Sequence, residues 1–163
     1  MYVRDVMTTR VHRCMPDDSL ALAAQLMWQY DCGCLPVCTS LGNGLEHIIG
    51  MITDRDICMC ALFQGKPVGE LLVKQAMTTR LRTCAPNDTL EHAEKLMSEG
   101  QIRRLPVLNA ERRLVGLISL ADMARGAATL GADFTLAQKE AEKQQVFKIL
   151  AAVSSPSPHV ALS

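Results

Sequence analysis

Apolar residues recur along this chain in two different rhythms. Between residues 19 and 30 they fall three and four apart, at Leu20, Ala23, Leu26 and Tyr30, with Ala24 and Met27 alongside, which is the period of an α-helix. The preceding Pro16-Asp17-Asp18 offers a turn and an N-cap, so a helix is predicted from about Ser19 to Tyr30. Two short apolar runs follow, around Leu35 to Cys38 and Glu46 to Thr53, separated by Gly42-Asn43-Gly44, a strong hairpin signal. Val11 to Cys14 reads as an earlier extended segment, and a second helix begins near Asp54. Pro36 lacks an N–H and belongs at a strand start or on an edge.

The whole order, strand, helix, strand, strand, helix, then occurs again. Residues 7–37 align without a gap onto 77–107, with 14 of 31 positions identical, and after a loop shortened by four residues Gly50 meets Gly116. In the second copy Asp88 is the expected cap, with Glu91 three residues on, and Leu90, Ala93, Leu96 and Met97 form the apolar stripe. Its hairpin runs from Leu105-Pro106-Val107-Leu108 to Arg113 through Ser119, and a last helix starts near Leu120. The expected organisation is one repeat over 1–66, a second over 67–130, a C-terminal helix over 131–153 and a flexible tail over 154–163, whose Ser and Pro content resists packing. The fold class is α+β, an α/β sandwich of two β-α-β-β-α units.

Each repeat carries one stretch with chemistry in it. Gly50-Met51-Ile52-Thr53-Asp54-Arg55-Asp56 corresponds to Gly116-Leu117-Ile118-Ser119-Leu120-Ala121-Asp122. A hydroxyl ends the strand and a carboxylate stands three positions later, at a helix start. That spacing is an N-cap pattern, and it also suits a ligand: a carboxylate accepts from two vicinal hydroxyls, and free backbone N–H groups at a helix start attract an anion.

Composition removes several function classes. Lys plus Arg and Asp plus Glu are both 17, so the net charge does not call for nucleic acid, and aromatics at 4% leave little surface for stacking bases. No window approaches the roughly 20 apolar residues of a membrane span, and no basic leader precedes an apolar run, so a cytoplasmic location is expected. Seven cysteines, an odd number without a scaffold-like spacing, are expected to be mostly reduced.

A duplicated unit with Met-Thr before the first strand, a Leu-Pro-Val segment and a Gly-apolar-Ile-Thr/Ser-x-x-Asp segment resembles a tandem pair of CBS domains, over roughly residues 3–128. The run Thr53-Asp54-Arg55-Asp56-Ile57 is similar to that of small stand-alone bacterial CBS-pair proteins, including the hypoxic-response type. The resemblance implies two repeats packed about a pseudo-twofold axis, a homodimer, and clefts that take AMP, ADP, ATP or another adenosine compound. It assigns ribose and phosphate contacts to Thr53 with Asp56 and to Ser119 with Asp122. Phosphate charge falls to Arg103 and Arg104, whose places in the first repeat are taken by Gly33 and Cys34, with Arg55 and then Arg125 as weaker candidates. The adenine slot it implies is lined by Val11 to Arg13 with Cys32 to Cys34, and by Leu81 to Thr83 with Ile102 to Arg104.

The cysteines leave a second reading open. Cys14 and Cys38 fall on strands expected to be neighbours, where a thiol pair suits zinc or a reversible disulfide, whereas Leu108 replaces the second partner in the other repeat and leaves Cys84 alone. The four histidines show no metal-ligand spacing. With no Gly-x-Ser-x-Gly elbow, P-loop or paired His ligands, the chain reads as a regulatory binding module rather than an enzyme. A purely structural dimerisation module is the remaining alternative.

Overall fold

The computed structural model describes residues 1–40, 42 and 46–129, and beyond them Glu140, Ala141, Gln144, Phe147, Lys148, Leu150 and Ala151. Of the helix expected over 131–153 only those seven positions are described, each helical; the rest of it, the tail and the Asn43-Gly44 turn lie outside the described residues.

The chain has mixed helix and strand in the expected order. The first repeat holds α1 (Leu20–Gln29), β1 (Cys34–Ser40), β2 (Glu46–Thr53) and α2 (Asp54–Gln64); a four-residue helix, α3 (Val73–Ala76), follows, and the second repeat holds α4 (Leu90–Gly100), β3 (Arg104–Leu108), β4 (Leu114–Ser119) and α5 (Leu120–Thr129). The sheets are two-stranded, β1 with β2 and β3 with β4, and β1 and β2 run antiparallel from Cys34 opposite Thr53 to Ser40 opposite Glu46. The expected first strand of each repeat shrinks to a single parallel bridge, Cys14 to Val37 and Cys84 to Val107. Proline explains the stop. Cys14 N donates to Pro36 O and Cys38 N to Cys14 O, but the next rung towards His12 would need an N–H that Pro36 does not have, and Pro106 ends the second ladder in the same way.

Helix starts follow local chemistry, but in both repeats the cap is the residue after the expected aspartate. The N-cap of α1 is Ser19, whose hydroxyl accepts from Leu22 N at 3.1 Å. That of α4 is Thr89, accepting from His92 N, and not Asp88; the Asp88 carboxylate instead accepts from Ala85 N at 2.8 Å and closes the preceding turn. Asp18 does the same for Met15 N at 2.7 Å.

The chain forms two compact units, and neither is a contiguous half. One comprises Arg10–Leu81 with Ala110–Leu114; the other comprises Met1–Thr9, Arg82–Asn109 and the described residues from Val115 on. The lead-in to each repeat therefore packs in the unit of the other. Val3 is buried with Ala93, Met97, Leu105, Val107 and Ile118, while its counterpart Val73 is buried with Ala23, Met27, Leu35, Val37 and Ile52. Each fully buried aliphatic contributes roughly 1.5–3 kcal/mol. Backbone bonds reinforce the arrangement: Leu71 O accepts the otherwise unpaired N–H at the start of α1, and Met1 O accepts the one at the start of α4.

Candidate functional site

The repeated hydroxyl and carboxylate form the same structure twice. Thr53 has extended backbone, and its hydroxyl accepts from Asp56 N at 3.2 Å, while one oxygen of Asp56 accepts from Thr53 N at 2.9 Å and from the Thr53 hydroxyl at 2.7 Å. Ser119 and Asp122 repeat this at 3.1, 2.8 and 2.6 Å. Both pairs are therefore reciprocal capping boxes, each satisfying two backbone donors at a strand-to-helix junction. The capping role and a ligand role can use different atoms, because one Oδ of each carboxylate takes both of the cap contacts that the carboxylate makes.

The second oxygen separates the copies. Oδ1 of Asp122 accepts from Arg125 and the residue is buried, whereas Asp56 is half-buried and, among the described residues, its Oδ1 accepts no hydrogen bond. Arg125 is thus committed to a carboxylate and is not a free phosphate contact.

The loop before each sheet is held against the helix that follows it. Asp54 N donates to Gly33 O at 3.3 Å, and Leu120 N donates to Arg103 O at 3.1 Å. This brings the capping box of each unit next to the segment assigned by resemblance to the adenine slot. Arg103 and Arg55 are exposed and Arg104 is half-buried; none of the three forms an ion pair among the described residues, so each has a cation to offer. Cys34 is buried at the head of β1, opposite Thr53.

The unit built around the first repeat contains two concavities. One, of about 360 Å³, lies along α1 and the start of α2, between Met27, Trp28, Cys32 and Asp54; the other, of about 280 Å³, runs from Asp56 and Cys60 to Gln75. Asp56 lines the second.

Two features escaped the reading of hydrophobic period. Tyr30, grouped above with the buried stripe of α1, is 41% exposed, and its ring lies face to face on His12, with centroids 3.4 Å apart and planes 8° from parallel. Its counterpart is Gly100, over which the Arg82 side chain folds so closely that a Cβ there would meet Cδ at 2.8 Å. The exchange of His and Tyr for Arg and Gly at matched positions was the available signal. Trp28, at 91%, Phe63, at 80%, and Leu62, at 69%, are also exposed.

All seven cysteines are thiols. Cys14 and Cys38 are buried on neighbouring segments, as expected. Burial, aided by Asp18 and then by Cys38, pushes the Cys14 thiol up to about 12. Burial and the nearby Glu46 push Cys38 up to about 11, with Arg13 opposing. Cys84 rises to about 12 through burial and Asp88. Such thiols are poor nucleophiles at neutral pH. Among the described residues no group of three or more His, Cys, Asp and Glu is placed to hold a metal ion.

Among the described residues no helix is long and apolar enough to cross a membrane. The CBS domain model matches residues 3–61 and again 68–128. The chain is 40% identical over 122 residues to the CBS domain-containing protein YhcV of Bacillus subtilis, and 34% identical over 122 residues to hypoxic response protein 1 of Mycobacterium tuberculosis, in each case covering 75% of this chain and 82% of the relative. A solved structure of Hypoxic Response Protein I with two coordinated zinc ions matches at TM-score 0.66 and 32% identity, over 77% of this chain and 98% of that one. The structure of CBSX2 in complex with AMP matches at TM-score 0.67 and 26% identity, over 79% and 97%. Two copies of one strand-to-helix junction, each inside its own match to the same model, place this chain in the CBS domain family as a tandem CBS pair.

Proposed function

We propose that this protein is a non-catalytic regulatory module that binds an adenosine-containing ligand such as AMP, ADP or ATP in the cytoplasm, and that it works as a homodimer. The observation that carries the reading is the repeated capping box beside a loop pinned to the next helix: it holds a carboxylate at a fixed place and, in the first repeat, leaves one oxygen of Asp56 open. A purine nucleoside monophosphate matches that chemistry, with vicinal hydroxyls for Asp56 and a phosphate for a free cation. Thr53, Asp56, Ser119 and Asp122 are the ribose-facing residues, Arg103 and Arg104 the principal phosphate contacts, and Arg55 a lesser one. The AMP complex of CBSX2 supports the ligand class. The exposed Trp28, Leu62 and Phe63 support self-association.

Calorimetry with AMP, ADP and ATP tests the reading. Binding should be lost or weakened at least tenfold in Asp56→Asn, which keeps a neutral cap oxygen but removes the charge. No heat at millimolar ligand, or unchanged affinity in the variant, rejects it for these compounds. A ligand regulates only by favouring one state over another, so sedimentation with and without AMP reads the regulatory half of the proposal.

One observation favours a second reading, in which Cys14 and Cys38 form a reversible disulfide. Cys38 N donates to Cys14 O at 2.9 Å, so the two buried residues lie on adjoining segments, Cys38 one position beyond the Val37 that bridges Cys14. Closing the bond would pass two electrons and two protons to a thiol oxidant. Thiol titration before and after treatment with oxidised glutathione decides it: loss of two titratable thiols in the wild type, absent in Cys38→Ser, supports the switch, and seven thiols retained in the wild type removes it.

A further inference from the structure

The recess between α2 and α3 lies where the two repeats differ in the side chains that fill them. In the second repeat, Arg125 pairs with Asp122 through the oxygen that the capping box leaves over, and Val6 packs so tightly on Gly126 that a Cβ there would overlap it. The matched residues of the first repeat are Met59, Asp56, Ala76 and Cys60. A thioether thus stands in place of the cation, and an alanine, two methyl groups smaller, in place of the valine that presses on α5. All four line the recess of about 280 Å³ together with Phe63 and Gln75, and no basic side chain lines it.

Asp56, Met59, Cys60 and Phe63 are three and four apart on α2, so they share one face of the helix. Oδ2 of Asp56 serves the capping box, and its Oδ1 accepts no hydrogen bond among the described residues. A half-buried carboxylate with an open oxygen gains a charge-assisted bond from a cation brought to it. The second repeat shows which cation this junction accommodates: a guanidinium that reaches the carboxylate from one turn further along the helix. Beyond Asp56, Met59 and the 80% exposed Phe63 continue the recess as an apolar wall, which suits the methylene stem of such a group.

We propose that the recess between α2 and α3 binds an alkylguanidinium, held by Asp56 in the place that Arg125 takes on Asp122, with its methylene stem against Met59 and Phe63. The site takes a different ligand from the nucleotide reading and stands without it. Because it shares Asp56, the two ligands compete for one oxygen in the first repeat. An arginyl side chain presented by another protein and a free alkylguanidine offer the same chemistry.

The test titrates the full chain with agmatine and with an end-blocked peptide carrying one arginine, read by backbone amide shifts. At least one should also move the Met59 methyl signal, assigned by its absence in Met59→Leu. Tighter binding of the peptide marks a protein as the source, and tighter binding of agmatine a free alkylguanidine. Met59→Arg supplies from within the cation that the second repeat has, and should weaken agmatine binding about tenfold or more. Asp56→Asn should do the same, whereas Met59→Leu keeps the apolar wall and retains binding. Thermal midpoints matching the wild type exclude misfolding. A wild type whose Met59 methyl stays put at millimolar agmatine and peptide overturns the site, as does Met59→Arg binding agmatine as tightly as the wild type. AMP is titrated separately: its binding without agmatine leaves the nucleotide reading alone standing, and agmatine binding without AMP leaves only this site.

Discussion

The two repeats share a core almost residue for residue and diverge at their surfaces. Cys14, Ala23, Met27, Leu35, Val37, Ile52 and Val73 are buried in one unit; Cys84, Ala93, Met97, Leu105, Val107, Ile118 and Val3 are buried at matched positions in the other. Outside the core, the first repeat exposes Trp28, Tyr30, Met59, Leu62 and Phe63, where the sequence of the second has Ser98, Gly100, Arg125, Ala128 and Thr129. Duplication thus preserved what packing requires and released what faces outward. The first repeat thus exposes large apolar side chains, whereas the second has Arg103 and Arg104 where the first has Gly33 and Cys34.

The sharpest break in this comparison comes from the matched glycines. A Cβ on Gly50 would lie 2.8 Å from the Thr78 carbonyl oxygen and 2.9 Å from the Met77 sulfur, whereas on Gly116 it would meet the Met7 sulfur at 2.7 Å and the Thr8 carbonyl at 3.1 Å. A methionine tip can swing away and a paired backbone carbonyl cannot. Gly50→Ala should therefore cost about 2–3 kcal/mol and Gly116→Ala about 1 kcal/mol in urea unfolding. Equal costs would show that the methionines, not the backbone, set the limit.

Next come the junction carboxylates. Asp122→Ala removes a cap from a buried site, for a loss of about 2 kcal/mol. Asp56→Ala, at a half-buried site with one oxygen open, should cost about 1 kcal/mol of stability and far more in ligand affinity. The same denaturation series, run with and without AMP, reads both; a larger stability loss at Asp56 would contradict the assignment of its open oxygen to a ligand.

The buried thiols give a pH dependence with a definite sign. Their folded pKa values of about 12, 11 and 12 for Cys14, Cys38 and Cys84 lie above the ordinary 9.0, so the folded state holds its protons more tightly. The associated stability is complete below pH 9 and is lost as pH rises from there towards 11–12. Two of the three thiols belong to the first repeat. Replacing Cys14 and Cys38 by Ala should flatten the decline above pH 9 more than Cys84→Ala does, measured as unfolding free energy across the alkaline range.

The smallest effect on stability is expected at the exposed apolar face. Trp28→Ser, Leu62→Ser and Phe63→Ser should each change unfolding free energy by about 0.5 kcal/mol or less. They should nevertheless lower the sedimenting mass if this face joins two copies. An unchanged mass in all three would place the dimer contact elsewhere or remove it.

Much of the fold was legible because the duplication doubled each signal. The positions of β2 and α2 and the hydroxyl and carboxylate of Thr53, Asp56, Ser119 and Asp122 all follow from period, caps and self-alignment. The choice of Thr89 over Asp88 as cap was not legible, since both types cap well and only the backbone path shows that Asp88 closes the turn before it. Tyr30 was misplaced because helical spacing shows which face a residue is on but not where that face stops being covered.

By itself the sequence determined the repeat, the order of elements, the reduced balance of charge and the family, since these depend on local period and on identities at matched positions. Only the tertiary structure decided that Val3 and Val73 trade units, that Asp122 is held by Arg125 while Asp56 keeps an oxygen open, and that His12 meets Tyr30. These are contacts between residues distant in the chain or outcomes of burial. No local pattern encodes them, because the free energy that selects them resides in packing and desolvation once the two lead-in segments have found their partners.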